Sequence, residues 1–255
     1  MYKQLTADDY RKHFKLSTDY AVDAFVVYGT YKKHPFEQFE DSVKRSGHKY
    51  TKNKLEHDFF DSLMEFNVDG KRVWVAIAYG GALLSEYMHL ACLFGSKVNL
   101  LIGSCGGLKK GAHDLELVVP EWSFANESSA SAYQPNGDNK YSSDQHLSGM
   151  LTQRLSQRYV VHRGATVTFQ AMLAETWEDI TSWSEQGFVA VEMEAATVFA
   201  VSNHFQIPSA AILMIGDNLI EEKTVVDINY EDARYERRAV AQFAFEVSLE
   251  AILTF

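Results

Sequence analysis

The chain has 255 residues, 46% of them hydrophobic, and a formal net charge of −10 at pH 7. That length lies at the upper end of what one α/β domain holds. The acidic balance excludes an extended nucleic-acid surface, because such surfaces need clustered Lys and Arg to displace counterions. A small anion held by a few local donors stays compatible with it.

In chain order, the first stretch, MYKQLTADDYRKHF, is polar and mixed in charge, unlike the apolar core of a signal peptide. No later run approaches the ~18 apolar residues of a membrane span. The two cysteines, Cys92 and Cys105, read as reduced thiols. The expectation is a soluble cytoplasmic protein with neither membrane nor nucleic acid as partner. Apolar runs suited to strands follow at 24–29, 72–80, 98–107, 115–120, 164–169, 187–194 and 209–218. Between them, 84–95 and 195–206 carry helical spacing, and 231–253 reads as a long amphipathic helix. Strands that alternate with helices imply an α/β fold whose sheet is covered on both faces. No repeat, low-complexity tract or linker divides the chain, so a single domain over 1–255 is expected. The polar segment 126–145, NESSASAYQPNGDNKYSSDQ, reads as an active-site or interface loop, with a plain surface excursion as the alternative.

Three segments carry chemistry, each where an apolar strand gives way to a turn or helix, which is where open α/β sheets place ligands. In LLIGSCGGL (100–108), Gly103, Gly106 and Gly107 allow close backbone approach to an anion and Ser104 adds a hydroxyl; a structural turn is the bland reading. In VEMEAATVFAV (191–201), Glu192 and Glu194 stand at a strand–helix junction, where a buried carboxylate needs partners. Glu194 could accept from a sugar diol with Met193 against the sugar face, or either glutamate could simply stabilise the helix N-terminus. In AAILMIGDNL (210–219), Asp217 could carry a proton to a leaving group if its surroundings suit, or could cap a turn.

Together these segments, with VVYGT near the start, IAYGGALLSEY, NESSASAYQP and TFQAMLAET in the same order, resemble the nucleoside phosphorylase family of purine and uridine phosphorylases and related nucleosidases. The resemblance runs over most of the chain. It implies a three-layer α/β/α domain with a central mixed sheet, and a homo-oligomer built from dimers, often a hexamer. The implied reaction is reversible phosphorolysis of a nucleoside to free base and ribose 1-phosphate, with inorganic phosphate as co-substrate and neither cofactor nor metal. Hydrolysis of the same bond by a nucleosidase, or a non-enzymatic nucleoside-binding role, are the alternatives.

Carried over residue by residue, the resemblance implies Gly29, Lys33 and Ser104 at phosphate, and Met193, Glu194 and His13 at ribose, His13 reaching a neighbouring subunit. It implies Cys105, Gly106, Gln170 and Glu192 near the base, with Asp217 as the acid assisted by Arg237. Arg238 is the adjacent alternative for that arginine. Two departures stand out. Leu101 occupies the position of an arginine usual in phosphorylases, and a lysine at 33 lacks the bidentate fork of arginine. Gln170 has no arginine beside it, unlike uridine-specific members, and Asp217 is typical of the purine branch. A purine nucleoside is therefore the expected substrate.

Overall fold

In the computed structural model, residues 1–32, 34–125, 127–221, 223–224, 226 and 233–255 are described. The chain begins with helix α1 (Ala7–His13), whose N-terminus is closed by a capping box between Thr6 and Asp9. Strand β1 (Ala24–Gly29) leads to α2 (Pro35–Ser46), and β2 (Tyr50–Asn53), β3 (Leu63–Val68) and β4 (Lys71–Ala78) form an antiparallel meander. Helix α3 (Gly81–Leu93), β5 (Val98–Gly107) and β6 (Leu117–Phe124) follow, then the single turn α4 (Ser128–Ser131), β7 (Lys140–Ser142) and α5 (Gln145–Leu155). The last third comprises β8 (Val161–Thr168), α6 (Trp177–Glu185), β9 (Ala190–Glu192), α7 (Ala195–His204), β10 (Ser209–Asn218) and α8 (Arg234–Thr254).

All ten strands join one mixed sheet in the order β10-β6-β8-β9-β5-β1-β4-β3-β2, with β7 on β6. Because β10 also pairs with β5, the strands β5, β10, β6, β8 and β9 close on themselves, and β1, β4, β3 and β2 extend from β5 as an open wing. Closure removes exposed edges from that half of the sheet. Strands β1, β5 and β10 run parallel, so their C-terminal ends, at Gly29, Gly107 and Asn218, open on one side.

Side-chain alternation along these strands feeds two cores. Val27, Leu101, Leu213 and Ile215 face one side under α3 and α7, where Leu84, Tyr87, Val198 and Phe199 are buried. Val26, Leu100, Ile102 and Ile212 face the other, covered by Phe39 and Val43 of α2, Leu147 and Leu151 of α5, and Phe243 and Phe245 of α8. Burial on both faces explains why β1, β5 and β10 read as continuous apolar runs. Their observed limits coincide with the runs 24–29, 98–107 and 209–218. The layered α/β fold with a mixed sheet stands as the sequence implied.

The segment 126–145 is anchored to the fold at its start. The Glu127 carboxylate accepts from the amides of Ser129 and Ala130 at 2.6 and 2.8 Å and from the Thr197 hydroxyl at 3.1 Å, which pins α4 to α7. None of its described residues lines the main cavity discussed next. Asn126 lies outside the described residues. No helix among the described residues is long and apolar enough to cross a membrane.

Candidate active site

The open ends of β1, β5 and β10, the β9–α7 junction and the segment 172–180 enclose a cavity of about 520 Å³. Of the residues expected at a site, Gly29, Ser104, Cys105, Gly106, Glu192, Met193, Glu194 and Asp217 line it.

The β9–α7 junction explains the pair of glutamates. Glu192 is buried, and its Oε2 accepts from the amides of Glu194 at 2.7 Å and Ala195 at 2.6 Å. Its Oε1 accepts from the Thr168 hydroxyl, while Thr168 Oγ1 takes the next amide, Ala196, at 2.9 Å. Glu192 and Thr168 therefore satisfy the orphan amides that open α7, a capping task. Burial pushes the Glu192 carboxyl above its ordinary value, opposed by these donors. This carboxyl therefore closes the helix start while also lining the cavity.

With the helix start served from two residues upstream, Glu194 is free of capping although it occupies the N-cap position itself. Its Oε1 accepts from the Gly80 amide at 2.8 Å, an amide presented by a backbone at φ +79° that favours glycine. Its Oε2 faces Gly29 so closely that a Cβ there would sit 2.6 Å away. Glu194 is 4% exposed, and burial, reinforced by Glu192, pushes its carboxyl up to about 8. Its Oε1 is engaged as an acceptor, and the Met193 backbone with the Gly80 amide opposes the rise by favouring the ionised form.

Asp217 owes its place to a bulge. Ile215 pairs with Cys105 and Asp217 with Gly106, so Gly216 is the extra residue, and such an insertion bends a strand and re-aims its side chains. Cys105 is buried between these walls, and burial together with Glu192 and Asp217 pushes its thiol well above the ordinary value. It therefore serves as a small neutral packing group and not as a nucleophile. Ser104 is exposed into the cavity.

Several expected site residues stand elsewhere. Arg237 does not line the cavity: its guanidinium pairs with Asp114 at 2.9 Å and reaches the Gly216 carbonyl at 3.4 Å, behind the strand end that carries Asp217. Arg238 borders a different surface groove with Arg45 and Arg158, so Arg237 is the arginine turned to β10. Gln170, expected near the base, packs against the start of α3. Its amide fills the space beside Gly80 and Gly81, where a side chain on either glycine would meet it, and it does not reach the cavity lining. His13 packs at the end of α1 against Phe14 and His57, with ring centroids 4.7 and 5.6 Å away, and does not line its own chain's cavity. Lys33 lies outside the described residues. Leu101 is fully buried among the α3 and α7 side chains, in surroundings where a charge would lack partners.

Sequence reasoning noted TFQAMLAET but singled out none of the residues that form one wall. Met172, Leu173, Glu175, Thr176, Trp177 and Ile180 complete the cavity, joined by Tyr79 before α3. Leu173 and Trp177 are 95% and 55% exposed, so this wall presents apolar surface to whatever enters. Glu175 is the remaining carboxyl; burial, then Asp217 and Asp179, push it up to about 7.

The geometry agrees with what similarity finds. A sequence profile of the phosphorylase superfamily matches residues 60–253. The chain belongs to the phosphorylase superfamily. Among curated proteins it is 25% identical over 126 residues to a guanosine phosphorylase of Halorubrum lacusprofundi, a match that covers 49% of this chain and about half, 52%, of that relative. Among solved structures, a uridine phosphorylase from Vibrio fischeri complexed with 6-hydroxy-1-naphthoic acid superposes with a TM-score of 0.74 at 14% identity. That superposition covers 95% of this chain and 96% of the other. A futalosine hydrolase mutant of Helicobacter pylori gives 0.69 at 17% identity, over 92% and 100% of the two chains. A phosphorylase and a hydrolase thus share this fold.

Proposed function

We propose that the chain cleaves the N-glycosidic bond of a purine nucleoside by phosphorolysis, giving free base and ribose 1-phosphate. The observation that carries this reading is the placement of Glu194 and Asp217 in the walls of one cavity, with Met193 and Ser104 also in its lining. A volume of about 520 Å³ is within the range of small-molecule sites. Glu194 Oε2 would engage the ribose hydroxyls while Met193 packs against the sugar, and Ser104 would donate to phosphate. As the C1′–N bond breaks, its electron pair goes to the base, Asp217 delivers a proton to a ring nitrogen, and a phosphate oxygen bonds to C1′. The transition state has oxocarbenium character, so orientation and neutralisation of the leaving base supply most of the rate. Arg237 would act through the backbone at Gly216, as a positioning residue.

One observation favours hydrolysis as a second reading. The lining holds the carboxyl groups of Glu175, Glu192, Glu194 and Asp217, and among the described residues no Lys, Arg or His. Water needs no cation, whereas a phosphate dianion would rest on hydroxyl and amide donors. The reading also includes a homo-oligomer, in which His13 would serve a neighbouring copy's ribose, since it stands outside the cavity of its own chain. Incubation with inosine, guanosine, adenosine and uridine, with and without phosphate, tests the assignment by base release. Phosphate-dependent release from the purines is expected. Release without phosphate selects hydrolysis, and no release from any of them refutes both readings.

A further inference from the structure

The segment 172–180 carries apolar surface that the fold itself does not use. Met172, Leu173 and Trp177 are large side chains left exposed, and all three line the cavity. An exposed apolar patch beside a cavity marks a ligand or partner surface. The same character continues inward. Ile180 and Val191 are buried and Leu219 is half-buried, and the three pack in the small hydrophobic cluster that also holds Leu108, Val167 and Phe188. They line the cavity as well. Trp177 and Ile180 stand three residues apart on α6, so the exposed and buried parts of this lining adjoin along one helix face.

The sheet fixes where this apolar end lies. Leu219 and Val191 cover Gly106 of β5 so closely that a Cβ there would stand 2.7 Å from Leu219 Cδ1 and 3.3 Å from Val191 Cγ1. Gly106 is the residue that pairs with Asp217 across β5 and β10. The Glu194 carboxyl instead meets Gly29 at the end of β1 and Gly80 ahead of α3. The apolar end is therefore on the Asp217 side of the cavity, away from the strand end that faces Glu194.

We propose that the substrate is a purine nucleoside whose base carries an apolar group, alkyl or aryl, received by a subsite of Leu173, Trp177, Ile180 and Leu219. This rests on the nucleoside-cleaving reading above, which puts the sugar at Glu194 and the base at Asp217. The outer edge of a plain purine is polar, and against aliphatic side chains it would lose water without gaining partners. An apolar group on an exocyclic amino nitrogen would instead release water from both surfaces. It also leaves the ring nitrogens of the base free to take the proton that Asp217 delivers.

The test compares 6-benzylaminopurine riboside with adenosine, and 2-benzylaminohypoxanthine riboside with guanosine, on the full chain with phosphate. At least one benzylated substrate should exceed its parent in kcat/KM by about 10-fold or more, the scale on which an apolar pocket discriminates. Leu173→Ala, a change at an exposed residue that spares the core, should reduce that ratio severalfold. Calorimetry with the free bases gives a readout independent of turnover: 6-benzylaminopurine should bind about 10-fold more tightly than adenine, with a more negative heat-capacity change. Parents preferred over both benzylated substrates would overturn the proposal, as would a gain confined to 5′-benzylthioadenosine, which would put the apolar end at the sugar. A ratio that ignores Leu173→Ala, in a variant whose sedimentation coefficient falls, would also overturn it, because the wall would then belong to a second copy of the chain. Should the wild-type chain cleave no nucleoside, the nucleoside reading fails, and base binding alone decides whether the apolar end takes a substituted purine.

Discussion

Two walls of the same cavity are built by opposite strategies. The sheet wall, formed by the ends of β1, β5 and β10 and the β9–α7 junction, is buried and over-determined: Glu192 accepts from amides and hydroxyls, and Glu194 is anchored on Gly80. The connection wall, from Met172 to Ile180, is short, largely exposed and held by one 3-10 turn and one capping box. The difference teaches where chemistry is fixed and where recognition can vary. A group that must meet a reacting atom within a fraction of an ångström is placed on strands, whereas a surface that covers a base can sit on a connection.

The largest expected effect is on the sheet wall. Asp217→Asn should slow cleavage of inosine by about 10² to 10⁴ with little change in binding, the range of general acid catalysis. Steady-state kinetics on inosine and 4-nitrophenyl riboside checks this, because the activated substrate should be far less affected. Equal losses on both would make Asp217 a support for the bulge and not an acid.

Buried constraint also has a cost in stability, and its sign follows from Glu194. Its folded-state value of about 8 is raised above the ordinary glutamate value of 4.5, so the fold carries no penalty below pH 4.5 and loses stability progressively as pH rises from there to 8. Glu194→Gln removes the titration. Relative to wild type, the variant should gain about 3 kcal/mol between pH 5 and pH 8, measured by urea unfolding at each pH. A stability difference that does not change with pH would mean that Glu194 ionises in the fold as freely as in water.

Gly29 sharpens the comparison by steric means. A Cβ at that position would stand 2.6 Å from Glu194 Oε2, and the neighbouring atoms are those of an anchored side chain. Gly29→Ala should therefore displace the carboxyl and lower kcat/KM by about 10²-fold, the usual consequence of a 1 Å misplacement. Unaltered kinetics in the alanine variant would show that Oε2 does not face the substrate. The smallest effect is expected on the connection wall, where Trp177→Ala should raise KM about 10-fold by loss of stacking and leave kcat nearly unchanged. A collapse of kcat instead would give this wall a catalytic role.

The same contrast explains what could be read in the sequence. Strands β1, β5 and β10 are buried on both faces, so continuous apolar runs delimit them, and the residues at their ends carry recognisable chemistry. Strands β2 and β3 escaped because β2 is mostly exposed and its YTKN has no apolar pattern. Helix α6 escaped because its stripe is interrupted and only Ile180 is buried. Glu175 was hidden in an acidic stretch, ETWED. The capping pattern Thr176–Asp179 was nevertheless visible there and would have separated an acid used by the helix from one outside it. The surroundings of Gln170 were hidden for the reverse reason. Its motif was in order, but packing against the paired glycines Gly80 and Gly81 is a tertiary event that no local pattern announces.

The central claim is that the Glu194 carboxyl holds a nucleoside's sugar for cleavage, and Glu194→Ala tests it most directly. With a folded variant, verified by circular dichroism and a cooperative unfolding transition, initial rates of base release from inosine and guanosine should fall by about 10³-fold or more against wild type. A folded Glu194→Ala protein that releases base at the wild-type rate would contradict the account.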